Sequence, residues 1–198
     1  MKRTMFLLPG MVLTLAVSAG AQNRSEDEYT RYELAPETSR FKITLDLTAV
    51  TPGSDAFSNA IHHPTQVTEL SAIDLRTGAP LVIKEVTGEQ ARAAGLKDAV
   101  AATRYLQVQL ARPVPDGGEV RIRIHKTYTD VTGYHRDGDG VIFTRGLTVS
   151  RDAVVLPTNY EIVGVNLPVQ VIEEARTDRR EPHEHLSGQG AARTASAV

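Results

Sequence analysis

Residues 104–128 read RYLQVQLARPVPDGGEVRIRIHKTY, and the fold turns on how this stretch is understood. Leu106, Val108 and Leu110 alternate with Gln107 and Gln109, and Val120, Ile122 and Ile124 alternate with Arg121, Arg123 and His125. A period of two belongs to a strand with one face buried. Between the two runs, Pro115-Asp116-Gly117-Gly118 supplies turn chemistry. The stretch predicts two strands paired antiparallel as a hairpin, with both aliphatic sets in the core. Gln107, Gln109, Arg121, Arg123 and His125 are expected outside.

Working outward, the same pattern recurs. In RFKITLDLTAV, Phe41, Ile43, Leu45 and Leu47 alternate with polar residues. TPGSDAFSNAIHHPT, broken by Pro52, Gly53 and Pro64, reads as a long loop. ELSAIDL and LVIKEV flank RTGAP as a second hairpin. TGEQARAAGL is the helix candidate: Thr87 and Gln90 have capping-box spacing, and Gly95 ends the segment. GVIFTRGLTVS, DAVVLP, YEIVGVNLP and VQVIEE add further short strands, with Pro157 and Pro168 at ends or edges. Many short strands, frequent Gly/Pro turns and one short helix predict an all-β chain folded as an antiparallel β-sandwich.

The ends differ from this middle. Lys2 and Arg3 precede an apolar run from Met5 to Val17 and the small residues Ala19-Gly20-Ala21, the pattern of a secretory signal peptide over residues 1–21. The run is too short for a span of roughly 20 residues, so no membrane span is expected after cleavage. The mature chain is expected to be exported, periplasmic or extracellular. Residues 22–30 read as a flexible N-terminus, 31–173 as one sandwich domain and 174–198 as a polar, disordered tail. Back-translated with a shift of one nucleotide, the tail also reads as two aliphatic strands joined by a turn, as a frameshift product would.

There is no Cys, so no disulfide contributes to stability. A net charge of -2 gives no electrostatic reason to expect nucleic acid as a partner.

The segments YELAPETSRFKITLDLTAV, LQVQLARPVPDGGEVRIRIHKTY and GVIFTRGLTVSRDAVVLPTNYE, taken in order, resemble the N-terminal β domain of the aminopeptidase N family of zinc metallopeptidases. They are similar too to small exported bacterial β-sandwich domains of unknown function. The resemblance runs from Tyr32 to Ile172 and rests on strand and turn patterns. Catalysis in that family needs two histidines one helical turn apart and a general-base glutamate, and no H-E-x-x-H occurs here. His183-Glu184-His185 has the wrong spacing for one helix face. The resemblance implies a sandwich without the catalytic domain, and no catalytic residue or cofactor is expected.

Two surfaces remain as candidates. Arg121, Arg123 and His125, with Tyr128, Tyr134 and Arg145 nearby in sequence, suit a basic, aromatic strip for an anionic polysaccharide or a protein partner. The same pattern also fits a solvated sheet face. His62 and His63, with Asp55, sit in the expected loop and are the candidate metal ligands, although no third ligand is fixed by spacing. HRDGDGV reads as a hairpin turn rather than a calcium loop. The expected function is an exported, non-catalytic module that binds or scaffolds. The alternatives are a metal-dependent hydrolase using the loop histidines, or a structural subunit of an envelope assembly joined through the VQVIEE edge.

Overall fold

The computed structural model describes residues 21–22, 24–35, 37–61, 66–147, 151–157, 159–172 and 193–197, the first and last of these for their backbone alone. In chain order the elements are β1 (Ala21–Gln22), β2 (Ser25–Ala35), β3 (Arg40–Ala49), β4 (Ala56–Ile61), β5 (Gln66–Asp74), β6 (Pro80–Leu81), β7 (Ile83–Thr87), α1 (Gly88–Ala93), β8 (Arg104–Gln109), β9 (Val120–Thr129), β10 (Tyr134–Asp137), β11 (Gly140–Phe143), β12 (Asp152–Val155), β13 (Tyr160–Val165) and β14 (Arg193–Ala197). The chain is mostly β, with a large sheet ordered β12-β2-β3-β9-β5-β6, a small sheet β1-β4-β8-β7 and a third sheet β10-β11-β14-β13.

Alternation fixes which residues face inward. Across β3 and β9, Leu45 opposes Ile124, Leu47 opposes Ile122 and Ala49 opposes Val120. These six join Phe57, Ala72, Val108, Leu110 and Val114 in one buried cluster, so the large and small sheets press their apolar faces together. The aliphatic sets of β8 and β9 are in the core, as the alternation requires.

The expected hairpin between these two strands does not form. β8 pairs with β4 and β7, whereas β9 pairs with β3 and β5. The two strands face each other from different sheets. After β8 the chain stays beside the segment before β4, through Leu110 N–H to Asp55 O, Val114 N–H to Ser54 O and Gly53 N–H to Val114 O. It then crosses to the large sheet, so 111–119 is a crossover and not a tight turn. Gln107, expected outside, is buried, because Tyr105 and the other outward residues of the small sheet lie under α1 and the segment after it.

Other expectations change in the same way. The long loop contains β4, which the scattered Pro and Gly obscured, and LVIKEV is divided at Val82. Leu81 pairs with Ala72 in the large sheet and Ile83 with Val108 in the small one. Residues 25–30, expected to be flexible, belong to β2, whose register shifts between Glu26 and Tyr29. Within the tail expected to be disordered, Arg193–Ala197 runs parallel to both β11 and β13.

The helix forms where its caps predict. Thr87 Oγ1 accepts from Gln90 N–H at 3.2 Å and Gln90 Oε1 accepts from Thr87 N–H at 2.9 Å, a reciprocal capping box. Gly95 follows at φ 100, the left-handed conformation that suits glycine. Ala91, Leu96 and Ala99 then cover Ala56, Val86 and Tyr105 on the back of the small sheet. The hairpin over HRDGDGV forms too: β10 and β11 are joined through Gly138, at φ 58.

Candidate functional site

The outer face of the large sheet carries the polar half of the alternation. Lys42, Thr44, Asp46 and Thr48 on β3 stand opposite Thr127, His125, Arg123 and Arg121 on β9. Arg123 holds Asp46 with two hydrogen bonds of 2.6 and 2.7 Å, a bidentate pair that raises the guanidinium pKa further above its ordinary value. His125 Nδ1 lies 3.1 Å from Thr44 Oγ1. Burial first, and then the positive charges of Lys42 and Arg123, hold its imidazole below the usual histidine range.

At one end of this face β5 bulges, and two residues stand opposite Lys126. Glu69, at φ 54, turns outward there and accepts from Thr127 Oγ1 at 2.6 Å and from Arg40 at 3.0 Å. These two hydrogen bonds lower its carboxyl pKa. Arg40, Lys42 and Glu69 edge a shallow depression. Among the described residues, no carboxylate lies within ion-pair distance of Lys42 or Arg121, both of which are exposed.

Tyr128 and Tyr134 do not belong to this face. Each is 1% exposed. Both pack on Phe41, edge-on at 5.9 and 6.0 Å, within a cluster that includes Tyr32 and Phe143. Parity explains the misplacement of Tyr128, which is five residues from Arg123 and so on the opposite side of the strand. Arg145 is drawn inside as well. Its guanidinium lies 5.6 Å from the Phe41 ring and 5.2 Å from the Tyr128 ring, and it pairs with Asp130 at 3.1 Å. Of the expected strip, Arg121, Arg123 and His125 share the outer face, while Tyr128, Tyr134 and Arg145 form the interior beneath it.

Lys126 was legible but passed over. It shares the inward parity of Ile124 and Tyr128, and it is 5% exposed. Its Nζ donates to Asn59 Oδ1 on β4 at 2.6 Å and lies 5.0 Å from the centre of the Tyr128 ring. Burial, and secondarily the charge of Arg145, bring its pKa down to about 7, while Glu28 opposes the shift. The Tyr128 hydroxyl has no hydrogen-bond partner among the described residues, and burial pushes it up to about 12.

Of the candidate metal ligands, Asp55 is half-buried and its main-chain carbonyl accepts from Leu110 N–H and from the Gln109 side chain, each at 2.8 Å. His62 and His63 lie outside the described residues, as do the signal peptide up to residue 20 and His183-Glu184-His185. Among the described residues, no group of three His, Cys, Asp or Glu side chains is placed to hold a metal ion, and no helix is long and apolar enough to cross a membrane. Compared with known proteins, the chain matches no protein-family model and no curated sequence.

Proposed function

We propose that this chain is an exported, non-catalytic β-sandwich module that binds an anionic partner, a polysaccharide or an acidic protein surface, through the outer face of β3 and β9. One observation carries the reading: Lys42 and Arg121 stand exposed at opposite ends of the ladder and, among the described residues, neither has a carboxylate within ion-pair distance, while Arg123 between them is paired. Six residues of β3 separate the two cation positions, a distance of roughly 20 Å, which suits a linear chain of anionic groups better than a single small ion. The resemblance to the N-terminal β domain of the aminopeptidase N family supports the same role, since that domain lies outside the catalytic one.

The test uses the chain recovered from the exported fraction, expected to begin at Gln22, applied to immobilised polygalacturonate. Retention should be lost with rising salt and weakened at least severalfold by Lys42→Ala combined with Arg121→Ala, with unchanged thermal unfolding. Recovery of the chain only from the cytosol removes the export reading. Equal retention of the double variant removes this face as the binding surface.

A further inference from the structure

Where the large and small sheets meet, an amine faces an acyl group. Asn59 is half-buried on β4 of the small sheet, and Lys126 is buried on β9 of the large one. Lys126 Nζ donates to Asn59 Oδ1 at 2.6 Å. The amide carbon lies one C=O bond, about 1.2 Å, from that oxygen, so Nζ stands within about 4 Å of Cγ, close to the roughly 3–3.5 Å of a near-attack arrangement.

The surroundings favour the free amine. Among the described residues, no carboxylate lies within ion-pair distance of Lys126; its neighbours are the Asn59 amide and the Tyr128 ring, at 5.0 Å. The Arg145 guanidinium rests 5.2 Å from the same ring. Desolvation beside a second cation is what turns a lysine into a nucleophile. Both act here and bring the amine down to about 7, with the charge of Glu28 opposing them.

We propose that Lys126 and Asn59 close an intramolecular isopeptide bond that ties the two sheets together covalently. The neutral Nζ attacks Asn59 Cγ; the Nζ–Cγ bond forms and the Cγ–Nδ2 bond breaks. The attacking nitrogen gives up one proton and the departing nitrogen takes one, so ammonia leaves and the net charge of the two groups is unchanged. Nothing is oxidised or reduced, and no co-reactant is consumed. Before closure the amine is free, and only that species titrates.

The bond has a use in this chain. There is no Cys to form a disulfide, and the two residues stand 67 positions apart. A link between them closes a long loop and removes conformations from the unfolded chain, as a disulfide of the same span does. Lys126 points away from the outer face of β3 and β9, so the proposal stands whether or not that face binds an anion.

Intact-mass spectrometry of the purified full chain, on isolation and after prolonged incubation at pH 8, above the amine's pKa of about 7, tests the proposal. The expected result is a species lighter by one ammonia than the sequence from its own N-terminus requires. A tryptic digest should then contain the peptide of Asn59 joined to the peptide of Lys126. The closed form should run faster than the open one in denaturing gel electrophoresis and unfold at a higher temperature. Lys126→Met and Asn59→Ala should each keep the full mass. A wild-type mass that stays unchanged through the incubation overturns the proposal. So does a loss of ammonia that persists in Lys126→Met or maps to an unlinked peptide, since an asparagine also loses ammonia by closing a succinimide on its own main chain.

Discussion

β3 and β9 run side by side through two different interiors. At one end Leu45, Leu47, Ala49, Val120, Ile122 and Ile124 form an apolar cluster, with the buried carboxylate Asp74 opposite Ile122 on β5. At the other, Phe41 and Tyr128 lie among rings from β2, β10 and β11, with Arg145, Asp130 and Lys126 taken inside. The first half gains its stability from area and close packing, which are insensitive to pH. The second half contains charges whose desolvation must be offset by specific partners. The difference concentrates the buried cations, Lys126 and Arg145, and the sensitivity that goes with their desolvation, in the aromatic half.

The largest effect expected is from Asp130→Ala. Asp130 accepts from Thr132 and Gly133 N–H groups and from Arg145, so its loss leaves a buried guanidinium between two aromatic rings without a counter-charge. Urea unfolding should show a loss of about 3–5 kcal/mol. A loss below about 1 kcal/mol would mean that Arg145 swings out to water and that the two halves are less different than they look.

Lys126→Met acts in the opposite direction. The folded-state pKa of Lys126, about 7, lies below its ordinary value of 10.5. Between those values the unfolded chain holds a proton that the folded chain does not, so stability from this group climbs as pH rises from about 7 to 10.5. Below about 7 both states are protonated and the full cost of the buried ammonium is felt. The methionine variant should be more stable at pH 6, by on the order of 2 kcal/mol, and its advantage should shrink steadily toward pH 10. Unfolding curves across that range check the sign, and an advantage that does not change with pH removes Lys126 as the titrating group.

Ile122→Val gives the smallest change and serves as the reference from the aliphatic half. Ile122 is 0% exposed. Removing one methylene should cost about 0.5–1.5 kcal/mol, the same at pH 6 and pH 9. A pH-dependent cost would show that the change is felt by an ionisable neighbour, the first being Asp74 opposite Ile122 on β5.

Much of this was legible in single strands and illegible between them. Period-two alternation placed Phe41, Leu47, Leu106, Val108, Ile122 and Ile124 inside, because a strand's side chains have only two sides to choose from. It could not tell a neighbour in the same sheet from one facing across the core, since β8 and β9 bury the same residues in either arrangement. The binding strip was misread where this parity was ignored: Tyr128 and Arg123 are close in sequence and on opposite faces. Lys126 has the inward parity of Ile124 and Tyr128, so its register marks it as buried although its chemistry favours water.

The sequence by itself determined the β class, the capped helix at Thr87 and the inward aliphatic rows of β3, β8 and β9. These follow from local chemistry: side-chain period, cap hydrogen bonds and the conformational freedom of glycine. Only the tertiary structure decided that β8 and β9 lie in different sheets, that LVIKEV divides between them, that Arg145 is held indoors by Asp130, and that Lys126 meets Asn59 across the two sheets. Each of these depends on which distant segments meet, and a pattern that repeats every two residues along one chain contains no record of its partner.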